Sequence, residues 1–374
     1  MLGMDIYTET RVELSRNSTS TFSLNGKTVP LSDRAETVLR LLSSAAGYHG
    51  TFRIETRNSF PTGAGMASSA SGIAALTMAT YHALRAHSAR EVREGERERE
   101  LGAHSAREVR EEGASQTRVR EGREGERERD REPPFSLPLA VLSGIARRGS
   151  GSAARSLLGG CVLLDTPAQW GEEAEAAVQS GIPECLRGEA LGAYVADTVT
   201  RGDRLIDMVV YIAVVSSSEK KVGSTKGMQI SKASCPFMSG RVCTTVPVHM
   251  QMARRALSST PVDYPSLFDV TMMDSDSLHL MCASSVPRID YMTPVSWSIV
   301  SAIRDINAKH GKTVVGYSFD AGANPFVFTT KAHAPEVKAV LEEFVAEGKA
   351  SSLYETGVSV SGPIVLAEEG SRRG

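Results

Sequence analysis

The chain opens in alternation. In DIYTETRVEL and STSTFSLNGKTV polar and apolar residues change places at nearly every step, which predicts strands within residues 1–30. Asn25-Gly26, between two such runs, predicts a type I′ hairpin turn, where both central residues need positive φ. DRAETVLRLLSSAA (33–46) brings its apolar residues back at helical spacing, and TFRIETRN (51–58) alternates again as a strand. PTGAGMASSASG then opens a helix expected to run to about Leu84. Further on, LAVLSGIARRGSGSAARSLLGGCVLLD reads as helix, Gly/Ser loop, helix and strand. MVVYIAVV (208–215) is a buried strand, and helical patterns follow around 246–258, 263–282 and 294–310. TVVGYSF (313–319) predicts a strand, DAGANP a turn, FVFTT a strand and PEVKAVLEEFVAEG a last helix. Such a mixture predicts an α+β protein with two layered halves.

One tract breaks the pattern. AHSAREVRE at 86–94 recurs at 103–111, and GERERE at 95–100 is echoed by GERERD at 125–130. Between Arg85 and Glu132 there are 13 arginines, 14 acids and no aromatic residue, so the tract cannot build a core. The balanced charge and missing aromatics favour a solvated, disordered insert over a nucleic-acid contact, with transient helix where Arg and Glu fall at helical spacing.

Composition narrows the class. With 41% hydrophobic residues, 23% charged residues and a net charge of −2, the 374-residue chain has no global field to recruit nucleic acid or an anionic membrane. Cys161, Cys185, Cys235, Cys243 and Cys282 are odd in number and form no CxxC pair, which fits a reducing, cytoplasmic compartment. The histidines form no HExxH pattern. MVVYIAVV is strand length and the start has no basic-then-apolar pattern, so neither a membrane span nor a signal peptide is expected.

Candidate chemistry sits in four segments. Asn58-Ser59-Phe60-Pro61-Thr62-Gly63-Ala64-Gly65-Met66-Ala67-Ser68-Ser69-Ala70 joins a strand to a small-residue helix. A helix start offers unpaired N–H groups and a positive dipole end. Gly63 and Gly65 permit close backbone approach, and Ser68 and Ser69 can bond phosphate or a magnesium shell. It is neither a Walker loop nor a dinucleotide fingerprint. In Arg148-Gly149-Ser150-Gly151-Ser152-Ala153-Ala154-Arg155, a guanidinium follows a Gly/Ser run able to close around an anion; an ordinary surface arginine is the plain alternative. Glu219-Lys220-Lys221-Val222-Gly223-Ser224-Thr225-Lys226-Gly227-Met228 follows the buried strand, and its lysines suit either positive potential or a solvated face. In Tyr317-Ser318-Phe319-Asp320-Ala321-Gly322, Asp320 sits between a strand and a Gly turn, placed for chemistry or for capping.

In order and spacing these segments resemble the diphosphomevalonate decarboxylase branch of the GHMP small-molecule kinase superfamily. Ser59 departs from the family, which usually repeats Asn there. The resemblance implies an N-terminal ribosomal-protein-S5-like domain over 1–205, carrying the insert at 85–133, and a C-terminal ferredoxin-like α+β domain over 206–374. ATP with Mg2+ would be held by Pro61, Gly63, Ala64, Gly65, Met66, Ala67, Ser68 and Ser69, with Ser69 facing the metal. Arg155 would hold the substrate carboxylate, with Ser150, Ser152, Ser224, Thr225 and Met228 around the substrate. Asp320 would orient or deprotonate its 3-hydroxyl. MMDSDSLH (272–279) and ISKASCPFM (230–238) also resemble the family and read as scaffold.

The implied reaction turns mevalonate 5-diphosphate and ATP into isopentenyl diphosphate, carbon dioxide, ADP and phosphate, in a homodimer that binds neither nucleic acid nor membrane. Kinase relatives carry an Asp where Gly149–Gly160 has none, which speaks against a plain mevalonate or homoserine kinase. A kinase of mevalonate or phosphomevalonate, an ATP-binding pseudoenzyme and an interaction protein acting through residues 85–132 are the competing readings. Family members begin with a strand and a Lys-Tyr-Trp-Gly-Lys-like motif that contacts substrate. This chain starts downstream of that point, so the expectation is a sheet one strand short and little decarboxylase activity.

Overall fold

A computed structural model describes residues 7–15, 19–59, 68–111, 135–164, 183–186, 196–216 and 220–366. β1 (Thr8–Ser15) pairs antiparallel with β4 (Thr51–Asn58), from Thr8 opposite Asn58 to Ser15 opposite Thr51. β2 (Thr21–Leu24) runs parallel to β4 and antiparallel to β3 (Lys27–Thr28), giving the sheet order β1-β4-β2-β3. Asn25 at φ 50 and Gly26 at φ 80 make the expected hairpin turn. Phe52, Ile54 and Thr56 alternate inward along β4.

α1 (Asp33–Ala46) starts where the Ser32 hydroxyl accepts from the Ala35 N–H, and it buries Ala35, Val38, Leu39, Leu41 and Leu42. These pack with α2 (Ser68–Glu111), α3 (Leu139–Gly149) and the inner face of β4 in one core. A 3-10 turn, Ala153–Leu157, replaces the second helix expected after the Gly/Ser loop, and the two-stranded sheet of β5 (Cys161–Leu164) and β6 (Ala196–Thr200) follows.

The expected end of the helix near Leu84 is corrected. α2 continues to Glu111, through the first part of the Arg/Glu tract that was expected to be disordered. Arg, Glu and Ala are strong helix formers. The spacing puts Glu94 with Arg97 and Glu96 with Arg99 at i,i+3, and His87 contacts Glu91 at 3.3 Å at i,i+4. Residues 112–134 lie outside the described residues. From Arg90 to Arg99 the side chains are exposed and none enters the core. Replacing residues 93–132 by a flexible linker of about ten residues should therefore leave the thermal midpoint almost unchanged. A large fall in a melting experiment would show that the tract is packed.

The second half is built on a sheet ordered β10-β7-β9-β8. It comprises β7 (Met208–Ala213), β8 (Val315–Phe319), β9 (Pro325–Thr330) and β10 (Leu353–Thr356), every pair antiparallel. α4 (Ser224–Ser234) follows β7. Residues 238–245 lead without a break into α5 (Val246–Ser258), then come α6 (Tyr264–Ala283) and α7 (Pro294–His310). α8 (Ala334–Ala346) leads into β10. Buried side chains of β7, β8 and β9 pack against α7 and α8, and a second cluster joins β7 to α5 and α6. β8 lies tight on α6: a Cβ at Gly316 would stand 2.8 Å from the Cβ of Phe268. Among the described residues, no helix is long and apolar enough to cross a membrane.

Candidate active site

Asp320 follows the last residue of β8 and begins the turn into β9. The turn is pinned from three sides. The Phe319 N–H donates to Ser275 Oγ at 3.0 Å, and His279 Nε2 lies 3.2 Å from the Phe319 carbonyl, both from α6. Ser296 of α7 donates to the Ala323 carbonyl at 2.8 Å. Buried Asn324 accepts from the Val215 and Ser216 N–H groups at 2.8 and 2.9 Å and donates to the Ser216 carbonyl at 3.0 Å. Asn324→Ala would remove three hydrogen bonds at once, a cost of about 2–4 kcal/mol. A denaturant melt should show that loss, and an unchanged midpoint would show that the Asn324 bonds contribute little.

Asp320 is exposed at its own surface, yet enough protein surrounds it to desolvate its carboxylate. Desolvation raises its pKa, and the charges of Arg155, Lys220 and His279 oppose the rise. Arg155 comes from the other half of the molecule, on the turn Ala153–Leu157. Burial lowers its pKa to about 10, against the pull of Asp320, so it stays charged at neutral pH. Its buried Nε finds no hydrogen-bond partner among the described residues. Lys220 is lowered by desolvation and held up by Asp320. Burial lowers the His279 pKa and favours the neutral ring, whose Nε2–H then donates to the Phe319 carbonyl. The site thus gathers one carboxylate, one guanidinium with an idle donor, one ammonium and one neutral imidazole, a set able to bind an anion beside a base.

The other sequence-predicted residues divide. The Ser150 and Ser152 hydroxyls lie 3.4 Å apart just before Arg155. Lys220 Nζ donates to Ser224 Oγ at 3.4 Å. Thr225 instead receives Arg34 Nη2 from α1 at 2.5 Å, a contact between the two halves, and Met228 is exposed. Pro61, Gly63, Ala64, Gly65, Met66 and Ala67 lie outside the described residues. α2 begins at Ser68, has no acidic residue in its first turn and exposes Ser69. Thr8 Oγ1 ties this helix start to the sheet, 2.8 Å from both Asn58 Oδ1 and Ser71 Oγ. Ser59, the departure in the loop, exchanges hydrogen bonds with Tyr7 at 3.0 Å. A cavity of about 550 Å3 between β2, α1 and β4 is lined by none of these residues and takes no part in the site.

Two members were missed. Lys220 read equally well as a solvated lysine, and His279 lay in a segment read as scaffold. A signal was there: Ser275 and His279 are polar residues at i,i+4 on a helix of otherwise apolar buried positions.

Comparison with known proteins gives one answer across both halves. Residues 1–108 match the family profile of the diphosphomevalonate decarboxylase-like N-terminal domain, and residues 210–367 match that of the mevalonate 5-diphosphate decarboxylase C-terminal domain. The human diphosphomevalonate decarboxylase is 34% identical over 228 residues, covering 61% of this chain and 52% of the human protein. The chain therefore spans about half the length of the curated relatives it matches in this way. The mevalonate diphosphate decarboxylase of Trypanosoma brucei superposes with a TM-score of 0.69 at 26% identity, covering 100% of this chain and 90% of that one. A structure described as MDDEF in complex with MVAPP, AMPPCP and magnesium has the same fold, with a TM-score of 0.67 at 22% identity over 96% of this chain and 86% of that one.

Proposed function

The chain belongs to the diphosphomevalonate decarboxylase family of the GHMP superfamily, and on that premise we propose that it converts mevalonate 5-diphosphate and ATP into isopentenyl diphosphate, carbon dioxide, ADP and phosphate. The observation that carries the reading is the meeting of Asp320 and Arg155, from opposite halves, with the Arg155 Nε donor lacking a partner among the described residues.

Arg155 takes the substrate carboxylate in its planar fork. Asp320 accepts the hydrogen of the tertiary 3-hydroxyl, whose oxygen attacks the γ-phosphorus of ATP. Desolvation brings Asp320 nearer to working pH than an ordinary aspartate, which makes it the stronger base. Lys220 offsets the charge that gathers between the two anions. When the C3–O bond breaks, phosphate takes its electron pair. The C–C bond to the carboxylate then supplies the pair that forms the new double bond, and carbon dioxide leaves. Ser150, Ser152 and Ser224 line the substrate side in this reading. Positioning and fixed charge carry most of the rate.

ATP fits the start of α2, where the positive end of the helix, an exposed Ser69 and a first turn without acidic residues suit phosphate. Magnesium bound with those phosphates would offset part of their charge, and Ser69 is the residue that would stand beside it. Four free cysteines among the described residues support a reducing, cytoplasmic setting, and a homodimer is the assembly that goes with the family reading.

The substrate is tested by ADP release. Mevalonate 5-diphosphate should stimulate it, while mevalonate and its monophosphate should not. Stimulation by mevalonate or the monophosphate alone would move the chain to the kinase branch.

A further inference from the structure

At the end of the C-terminal sheet remote from Asp320, three side chains unrelated to the active site converge. His310 is the last residue of α7, His333 caps the start of α8, and Glu336 lies in that helix's first turn. His310 Nε2 stands 2.7 Å from Glu336 Oε2. The rings of His310 and His333 meet edge to face, with centroids 4.8 Å apart and planes at 77°. One donor atom from each of the three residues can be chosen so that all lie within 4.8 Å of one another. Each of these residues is half-buried, so an ion can reach them from solvent.

The backbone beneath them is fixed. The His333 N–H donates to the Thr330 carbonyl at 2.9 Å, the Val337 N–H to the His333 carbonyl at 3.1 Å, and the Lys331 N–H to the Asp207 carbonyl at 2.8 Å. Ile306, Ala334 and Val337 anchor both helices in the core. Asp320 begins the turn at the Phe319–Pro325 end of the β8–β9 pair, whereas this cluster lies beyond the Val315–Thr329 end. Five residues of strand separate the two, about 15 Å.

Two imidazoles and one carboxylate suit a borderline divalent ion such as zinc, whose bonds to nitrogen and oxygen are about 2.0–2.2 Å. Rotamer changes in half-exposed side chains would be needed to bring three donors within 4.8 Å of one another to that range. The nitrogen ligands disfavour magnesium and calcium, which prefer oxygen. Lys309 holds the other carboxylate oxygen, Oε1, at 2.6 Å, so Oε2 remains for the metal. Lys309, nearby Lys312 and the positive end of α8 all oppose a cation and so weaken its binding.

We propose that His310, His333 and Glu336 form a site for one zinc-class transition-metal ion, clipping the end of α7 to the start of α8 and separate from the Asp320 site. The test uses the full chain after dialysis against a chelator. Zinc chloride is titrated by calorimetry, and cobalt(II) binding is followed by its visible absorption. The unsubstituted chain should bind one equivalent and melt higher with zinc. His333→Ala and Glu336→Gln should each weaken that binding by about tenfold or more and abolish the shift in melting temperature, while substrate-stimulated ADP release stays unchanged. His333→Gln serves if the alanine variant fails to fold. Absence of binding to the unsubstituted chain overturns the proposal. So does equal binding by the variants, which would place the ion elsewhere, for instance on the exposed thiol of Cys243.

Discussion

Asp320→Asn should lower kcat by about 10²–10⁴-fold relative to the unsubstituted chain, the range a positioned acid or base contributes. ATP and substrate affinity should stay within a few-fold, because the amide keeps the size of the carboxylate on a turn pinned by Ser275, His279, Ser296 and Asn324. Stability should move the other way. The folded-state pKa of Asp320 is raised, so the folded protein holds this proton more tightly than the unfolded chain. The ionised group therefore opposes folding above its folded pKa, and that opposition fades as the pH falls through it. At neutral pH the asparagine variant should melt no lower than its parent. The acid limb of the kcat/KM profile should lie above the ordinary aspartate value and vanish in the variant. A variant that turns over like its parent, or an acid limb at the ordinary value, would remove Asp320 from the chemistry.

Arg155→Lys should lower kcat/KM by about ten- to a hundredfold, the equivalent of losing one charged hydrogen bond worth about 1.5–3 kcal/mol. The ammonium keeps the charge and loses the fork. The Nε donor of Arg155, already buried and without a partner among the described residues, is the group a carboxylate would satisfy and a lysine cannot replace. Lysine also supplies less charge control over Asp320 through a longer, more mobile stem. The acid limb assigned to Asp320 should therefore move with this substitution. Steady-state kinetics across pH separates the roles, because a surface arginine would change neither kcat/KM nor the limb.

Much of this architecture is legible in the sequence where one local rule decides. The alternation of TFRIETRN puts Phe52, Ile54 and Thr56 inward in β4, and Asn25-Gly26 supplies the positive φ values of its turn. Asp320 and Arg155 stand out through the family resemblance of the segments around them, since along the chain alone they also read as a turn aspartate and a surface arginine. Where local rules are silent, so is the sequence. α4 buries only Gly227 and Ser231, so no apolar stripe marks it, and β10 is four residues long. The extension of α2 to Glu111 rests on helix propensity and charge spacing without a core, which hydrophobic periodicity does not register. Lys220 and His279 become members of the site only when β7, β8 and α6 are stacked. Each is an ordinary residue along the chain, and its significance lies in the charge it shares with Asp320.

Product stoichiometry tests the central claim most directly. Mevalonate 5-diphosphate labelled in its carboxyl carbon is incubated with ATP and magnesium, and released carbon dioxide, phosphate and ADP are counted against one another. The ratio carries the test whatever the rate. Decarboxylation by the Asp320–Arg155 pair predicts the three products in equal amounts, with all of them falling together in Asp320→Asn. ADP accompanied by a stable phosphoester, with the label retained in the organic product, would contradict the account and make the protein a kinase.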